Sequence, residues 1–268
     1  MNQSSTLAAD VVALIEPLRA VPDKSLLVLD FDGTLAPIVA DPATAMAADG
    51  VVEALEALSQ NYLMVAVVSG RPVDFLSEQL PPSVYLSGLY GLESSEASVR
   101  STNPQAEQWQ PVIQEAVERS EAACGPGTAL EGMDVEPKGL SLTLHARRRP
   151  HLEADVVDFA RKLGLELGLD VRCAKLSVEI HPPVPANKGT VLRSLVEKSG
   201  ATRVMMVGDD LGDIAAFEAI EQMALDAEIA VAVRIGVAGD EMPAVLAHSV
   251  QAIVAGPDEV VELMRELL

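Results

Sequence analysis

Leu26-Leu27-Val28-Leu29 is a run of four apolar residues with no polar face, and it closes on Asp30-Phe31-Asp32-Gly33. Such a run predicts a strand buried on both sides, of the kind found in parallel sheets. Within Ala48–Gln60, Val51, Val52, Leu55 and Leu58 recur at helical spacing, and Leu63–Val68 is again continuously apolar. The three segments predict a βαβ unit. Its right-handed crossover makes the second strand parallel to the first, which brings Ser69-Gly70-Arg71-Pro72 to the same edge as Asp30.

From Tyr85 the character changes. Gly88-Leu89-Tyr90-Gly91-Leu92-Glu93 closes a short strand, and shorter, polar-interrupted material follows over Ser94–Ser101. A helix near Gln105–Ala123 leads to Gly125-Pro126-Gly127 and two alternating strands, Leu130–Pro137 and Leu140–Arg147, joined at Lys138-Gly139 as a hairpin. A helix over Pro150–Leu163 and strands near Leu169–Ala174 and Leu176–His181 complete α+β material. It reads as a second domain, residues 90–182, inserted between two parts of the first, 1–89 and 183–268, with hinges near Gly88 and Pro182–Pro185.

Beyond the prolines the βαβ rhythm resumes. Asn187-Lys188-Gly189 opens a helix to Ser199, and Val204–Val207 is another buried strand, ending in Gly208-Asp209-Asp210-Leu211-Gly212-Asp213. Ile229–Ile235 and Val250–Val254 predict further strands, and Asp258–Leu267 a closing helix. Met1–Arg19 predicts an amphipathic helix. The fold class is α/β, a Rossmann-like doubly wound parallel sheet with an inserted α+β domain.

Ligands of open α/β sheets bind outside the carboxyl ends of the strands, so the tips carry the chemistry. Strand alternation predicts that Asp30 and Asp32 share one small volume and repel each other, which calls for a cation. Taken alone, D-x-D-G is also an ordinary turn after a strand. Ser69 and Gly70 before Pro72 offer a hydroxyl and free N–H groups, a phosphate cradle or a plain helix cap. Gathered together, Asp30, Asp32, Ser69, Lys188, Asp209 and Asp213 are more informative than any one of them. Carboxylates without nearby nitrogen or sulfur ligands suit a hard ion, and Mg²⁺ is commonly held by one or two carboxylates, waters and substrate phosphate. With a phosphate ester bound, Mg²⁺ and Lys188 would neutralise its oxygens, Ser69 would donate a hydrogen bond, and one Asp would attack phosphorus in line.

Charge narrows the partners. The 268 residues carry a formal net charge of -21, which argues against a nucleic acid or an anionic membrane as partner, since both need clustered Lys and Arg. Cys124 and Cys173, without CxxC spacing, give neither a zinc site nor a disulfide framework and suit a reducing compartment, with cytoplasm the default. No apolar run reaches membrane-spanning length, and the N-terminal stretch lacks the pattern of a signal peptide. The chain is read as a monomer. His145, His151, His181 and His248 follow no ligand spacing and read as structural or solvent-facing.

D-x-D-G-T-L, a Ser at a second strand tip, a Lys and G-D-D-x-x-D, in that order, resemble the haloacid dehalogenase phosphatase superfamily. The resemblance implies Asp30 as nucleophile, Asp32 as general acid then base, and Mg²⁺ held by the Asp30 side chain, the Asp32 carbonyl and Asp209, with Asp213 acting through water or by orienting the site. It also implies that the insert is a C2-type cap that closes over the substrate and sets specificity.

At finer grain, Leu29–Ile38, Val68-Ser69-Gly70-Arg71, Gly88–Glu93, Gly208-Asp209-Asp210, the run Val135–Arg147 and Val178-Glu179-Ile180 are similar to blocks of the trehalose-6-phosphate phosphatases. That resemblance implies sugar contacts from Glu136, Lys138 and Glu179, and substrate contacts from Thr34, Gly70 and Arg71. Without it, Glu136 and Lys138 read as a solvated charge pair beside a turn. Two departures stand out: Gly212-Asp213-Ile214 where the family commonly has Thr-Asp-Glu, and Tyr90 where it usually has His. The implied activity is Mg²⁺-dependent hydrolysis of trehalose 6-phosphate, a small-molecule sugar phosphate. Its rivals are a capped phosphatase for another phosphorylated sugar, a phosphomutase, and a catalytically silent sugar-phosphate sensor on the same fold.

Overall fold

The computed structural model describes residues 7–39, 41–174, 176–239 and 243–268. Along the chain the strands are β1 (Ser25–Leu29), β2 (Met64–Val68), β3 (Tyr85–Gly88), β4 (Glu93–Glu96), β5 (Val99–Thr102), β6 (Asp134–Pro137), β7 (Leu142–His145), β8 (Asp170–Ala174), β9 (Ser177–His181), β10 (Arg203–Gly208), β11 (Val231–Ala238) and β12 (Ala252–Ala255). The helices are α1 (Ala9–Arg19), α2 (Val51–Asn61), α3 (Val73–Ser77), α4 (Pro104–Glu107), α5 (Gln110–Ala123), α6 (Glu153–Leu167), α7 (Lys188–Ser199), α8 (Leu211–Leu225) and α9 (Gly256–Glu266). They fall into two compact units, Met1–Ser101 with Ala186–Leu268, and Thr102–Pro185.

The first unit is built on one sheet in the order β12-β11-β10-β1-β2-β3-β4-β5, parallel from β12 to β3. Period-two alternation sorts its side chains onto two faces. Leu27, Leu29, Val65, Val67, Met205 and Val207 face α1, α2 and α9 through Ile15, Leu18, Leu55, Leu58 and Leu263. Leu26, Val28, Ala66, Val204 and Met206 face α7 and α8 through Leu192, Leu195, Phe217 and Ile220. Both faces are buried, which is why these strands read as unbroken apolar runs, and each such side chain contributes about 1.5–3 kcal/mol by leaving water. The chain passes from β1 through β2 to β3 on one side and returns to β10 on the other. The strand order therefore reverses between β1 and β10, and ligands of such sheets bind at that point.

In the second unit the antiparallel sheet runs β6-β7-β9-β8. One face, with Leu142, Leu144, Val178 and Ile180, packs on Ile113 and Val117 of α5 and on Val156 and Leu163 of α6. The other face is polar: Glu136, Thr143, Glu179 and Arg172 stand opposite one another across all four strands.

The boundaries differ from the sequence reading. The insert expected over 90–182 corresponds to a unit spanning Thr102–Pro185, because β4 pairs antiparallel with β3, Gly88 opposite Glu93, and stays with the first sheet. The helix expected over Gln105–Ala123 is split into α4 and α5, and Pro111 sits in the first turn of the second. The helix expected from Met1 runs over Ala9–Arg19, and residues 1–6 lie outside the described residues. Among the described residues no helix is long and apolar enough to cross a membrane.

Candidate active site

Asp30 extends β1 by one bond, its N–H donating to the Val207 carbonyl at 3.0 Å, and so stands at the seam between β1 and β10. The chain then doubles back. Leu35 and Ala36 N–H donate to the Phe31 carbonyl at 2.8 and 2.9 Å, and Gly33 N–H donates to the Ala36 carbonyl at 2.7 Å. Gly33 has φ +80°, and a Cβ there would fall 2.0 Å from Asp209 Oδ2, so turn and close approach both exclude a side chain.

Lys188 enters from the first turn of α7, which begins in a reciprocal cap between Asn187 and Thr190. Its Nζ lies 2.6 Å from both Asp30 Oδ1 and Asp213 Oδ1. Asp213 Oδ2 accepts the N–H groups of Asp209 and Asp210 at 3.0 and 3.1 Å. One buried carboxylate thus fixes both the lysine and the tip of β10. Asp30, Asp209 and Asp213 each bring an oxygen within 4.8 Å of the others.

Three carboxylates and one ammonium leave two negative charges in excess. Burial, then Asp209 and Asp210, raise the Asp30 pKa well above its ordinary value despite Lys188. Burial raises that of Asp213 likewise, again against the pull of Lys188. Asp209 is pushed up to about 7 by burial, then by Asp213 and Asp210. Burial pulls the Lys188 pKa down, but Asp213 and Asp30 outweigh it, so the ammonium stays charged. Asp209 Oδ1 is buried without a hydrogen-bond partner among the described residues. Two excess charges, an orphaned oxygen and an all-oxygen donor set fit a hard divalent cation such as Mg²⁺. Asp213 has both oxygens engaged, by Lys188 and by the Asp209 and Asp210 N–H groups, whereas Asp30 and Asp209 have lone pairs to offer.

Asp32 does not join this group. Arg71 Nε donates to its Oδ2 at 2.8 Å and Nη2 to its Oδ1 at 2.7 Å, while Nη1 donates to the Pro42 carbonyl at 2.8 Å. The guanidinium lies over the Phe75 ring, 4.5 Å from its centroid. The repulsion expected between Asp30 and Asp32 falls on Asp30 and Asp209 instead, because strand alternation ends at β1 and the following turn hands Asp32 to Arg71. Arg71, expected to touch substrate, holds an acid here. Ser69 is buried, and its Oγ accepts the Arg71 N–H at 3.1 Å, which leaves its own proton to give. Thr34 is fully buried, and its Oγ1 has no partner among the described residues. Gly70 lies against the Tyr90 ring.

In the second unit, Glu136 Oε2 lies 2.7 Å from His145 Nε2 and 3.8 Å from Lys138 Nζ. Glu179 Oε1 accepts from Ser141 Oγ at 2.9 Å and its Oε2 from Arg172 Nη1 at 3.2 Å. Burial, then Arg172, lowers the His181 pKa. Thr143 Oγ1 and His145 Nδ1 are buried without partners among the described residues. A row of carboxylates and cations with unused hydrogen-bonding atoms between them suits a ligand rich in hydroxyls. Thr143 and Arg172 are absent from the sequence reading, and His145, expected to be structural or solvent-facing, pairs with Glu136, although alternation along Leu140–Arg147 already puts Thr143 and His145 on one face.

A parallel sheet whose tips at the strand-order reversal carry an acidic cradle around a buried lysine, interrupted by an α+β insert, is a fold shared with solved hydrolases. A haloacid dehalogenase-like hydrolase from Bacteroides thetaiotaomicron shares this fold with TM-score 0.61 at 16% identity, over 91% of this chain and 99% of the other. The C-terminal domain of C. albicans trehalose-6-phosphate phosphatase shares it with TM-score 0.75 at 21% identity, over 100% of this chain and 99% of the other. Residues 28–242 match the trehalose-phosphatase family, and the chain belongs to that family of phosphoric monoester hydrolases. The trehalose-phosphate phosphatase of Mycobacterium leprae is 30% identical over 203 residues, 71% of this chain and 46% of the relative. The chain spans about half the length of such curated relatives.

Proposed function

We propose that this chain is a Mg²⁺-dependent phosphatase that hydrolyses trehalose 6-phosphate to trehalose and phosphate through a phosphorylated Asp30. The observation that carries the reading is a buried Asp30 carboxylate held 2.6 Å from Lys188 Nζ, beside a cradle with two excess negative charges, in a trehalose-phosphatase chain. An Asp30 oxygen attacks phosphorus in line as the bond to the sugar oxygen breaks, and water then hydrolyses the acyl phosphate and restores the carboxylate. Lys188 offsets charge on the phosphoryl oxygens, and the Ser69 hydroxyl and Gly70 N–H donate to them. In the Arg71 fork both Asp32 oxygens accept hydrogen bonds, so Asp32 protonates the leaving sugar only after turning out of that fork and taking up a proton from solvent. Mg²⁺, held by Asp30 and Asp209, would supply further neutralisation of the phosphoryl group.

Sugar recognition falls to the second unit, where Glu136 and Glu179 on strands and Lys138 in the turn after β6 present acceptors and donors. Two free cysteines, Cys124 and Cys173, suit a reducing compartment such as the cytoplasm. Phosphate release from a panel of sugar phosphates, with Mg²⁺ and with chelator, tests the proposal. Trehalose 6-phosphate should lead the panel and chelator should silence it. Hydrolysis no faster than that of glucose 6-phosphate would remove trehalose as the substrate.

A further inference from the structure

The run Gly88-Leu89-Tyr90-Gly91-Leu92-Glu93 takes no part in the chemistry above, yet it is bonded along its length to the loop that carries Ser69 and Arg71. Tyr90 N–H donates to the Ser69 carbonyl and Leu89 N–H to the Arg71 carbonyl, both at 3.0 Å. Glu93 Oε1 accepts the Val73 N–H at 2.5 Å. Burial raises the Glu93 pKa. Between these anchors Leu89 and Tyr90 adopt φ of 50° and 57°, a left-handed backbone that residues with a Cβ adopt only where their surroundings impose it.

That turn lays the Tyr90 ring across the loop. A Cβ on Gly70 would meet Tyr90 Cζ, Cε2 and hydroxyl at 2.7–2.8 Å, and a Cβ on Gly212, in the first turn of α8, would lie 3.6 Å from Tyr90 Cε1. The ring therefore spans from the Ser69-Gly70 tip to the start of α8, with its hydroxyl on the Gly70 side. It is half-buried, and close enough to Lys188 to act on its charge. The phenol thus lies beside Gly70 and within electrostatic reach of the Lys188 ammonium, and adds a donor on a stiff, two-torsion arm.

We propose that Tyr90 is a phosphate-binding residue: its hydroxyl donates to a phosphoryl oxygen of the substrate, and its ring sets the depth of the phosphate pocket between Gly70 and Gly212. The proposal rests on the phosphatase reading of the site and adds a contact to it. The side chain acts on the phosphoryl end common to every phosphate ester, so it should not discriminate among sugars.

The test compares Tyr90→Phe with the parent in three measurements: calorimetric binding of inorganic phosphate in the presence of Mg²⁺, KM and kcat for a small aryl phosphate, and melting temperature. Tyr90→Phe keeps the ring and the left-handed turn. It should bind inorganic phosphate about 10-fold more weakly and raise the aryl phosphate KM by a similar factor, the size expected for one hydrogen bond to a charged group. Melting temperature should be unchanged and kcat within about 3-fold, because a contact shared by ground and transition states moves KM alone. Parental phosphate affinity in Tyr90→Phe overturns the proposal, with or without a lowered melting temperature, since the tyrosine is then only structural. Gly70→Ala should weaken phosphate binding more than Tyr90→Phe by forcing the ring into the pocket. If trehalose 6-phosphate proves a poor substrate, the calorimetry still reads Tyr90, so the two failures are separable.

Discussion

Lys188→Met removes the ammonium and keeps an apolar stem of similar reach. The side chain is 3% exposed and contacts Asp30 and Asp213, so the change leaves buried carboxylates with no cation among them. Breaking a buried ion pair from one side costs about 3–5 kcal/mol. At about 2–4 °C per kcal/mol for chains approaching this size, the melting temperature of metal-free protein should fall by roughly 6–20 °C. The loss should also depend on pH. Asp209 titrates at about 7 in the folded parent against an ordinary 3.8, and Asp30 and Asp213 are likewise raised. Groups with raised folded pKa values bind protons more tightly when folded. Their stabilising contribution is complete below about pH 4 and disappears as pH rises through about 7. Without Lys188 the carboxylates are raised further, so the deficit should be small at pH 5 and large at pH 8. Circular dichroism melts of both proteins in chelator, at both pH values, measure this. A variant that melts within about 2 °C of the parent at pH 8, or a deficit equal at the two pH values, would refute the charge accounting of the cradle.

Asp30→Asn should abolish turnover yet melt no lower than the parent in chelator, because it removes a desolvated charge while its N–H still bonds the Val207 carbonyl; a clear drop in melting temperature would contradict this. Glu136→Ala and Lys138→Ala should raise KM for trehalose 6-phosphate about 10-fold and spare an aryl phosphate, whereas equal losses on both would move these residues away from the sugar.

The legible parts of the fold are those where one physical cause dominates. β1, β2 and β10 are buried on both faces and announce themselves as unbroken apolar runs. Lys188 and Asp209 were readable as chemistry because they sit at element ends, where side chains reach the tips of the sheet. β4 and β5 hid, since Glu93-Ser94-Ser95-Glu96 has no apolar face and β5 is an exposed edge, so their polar residues suggested the insert. The Arg71 clasp on Asp32 joins residues 39 apart through two turns, and no local pattern carries it. Asp213 was visible as an acid, but its use as a brace for Lys188 and for the N–H groups of Asp209 and Asp210 depends on packing between α7 and α8.

Phosphorylation of Asp30 is the most direct test of the account. Protein mixed with trehalose 6-phosphate and Mg²⁺, quenched within one turnover, treated with borohydride and digested should yield a peptide in which residue 30 alone has become homoserine, the reduction product of an aspartyl phosphate. Reduction at another carboxylate, or brisk phosphate release with no modified residue at all, would contradict it.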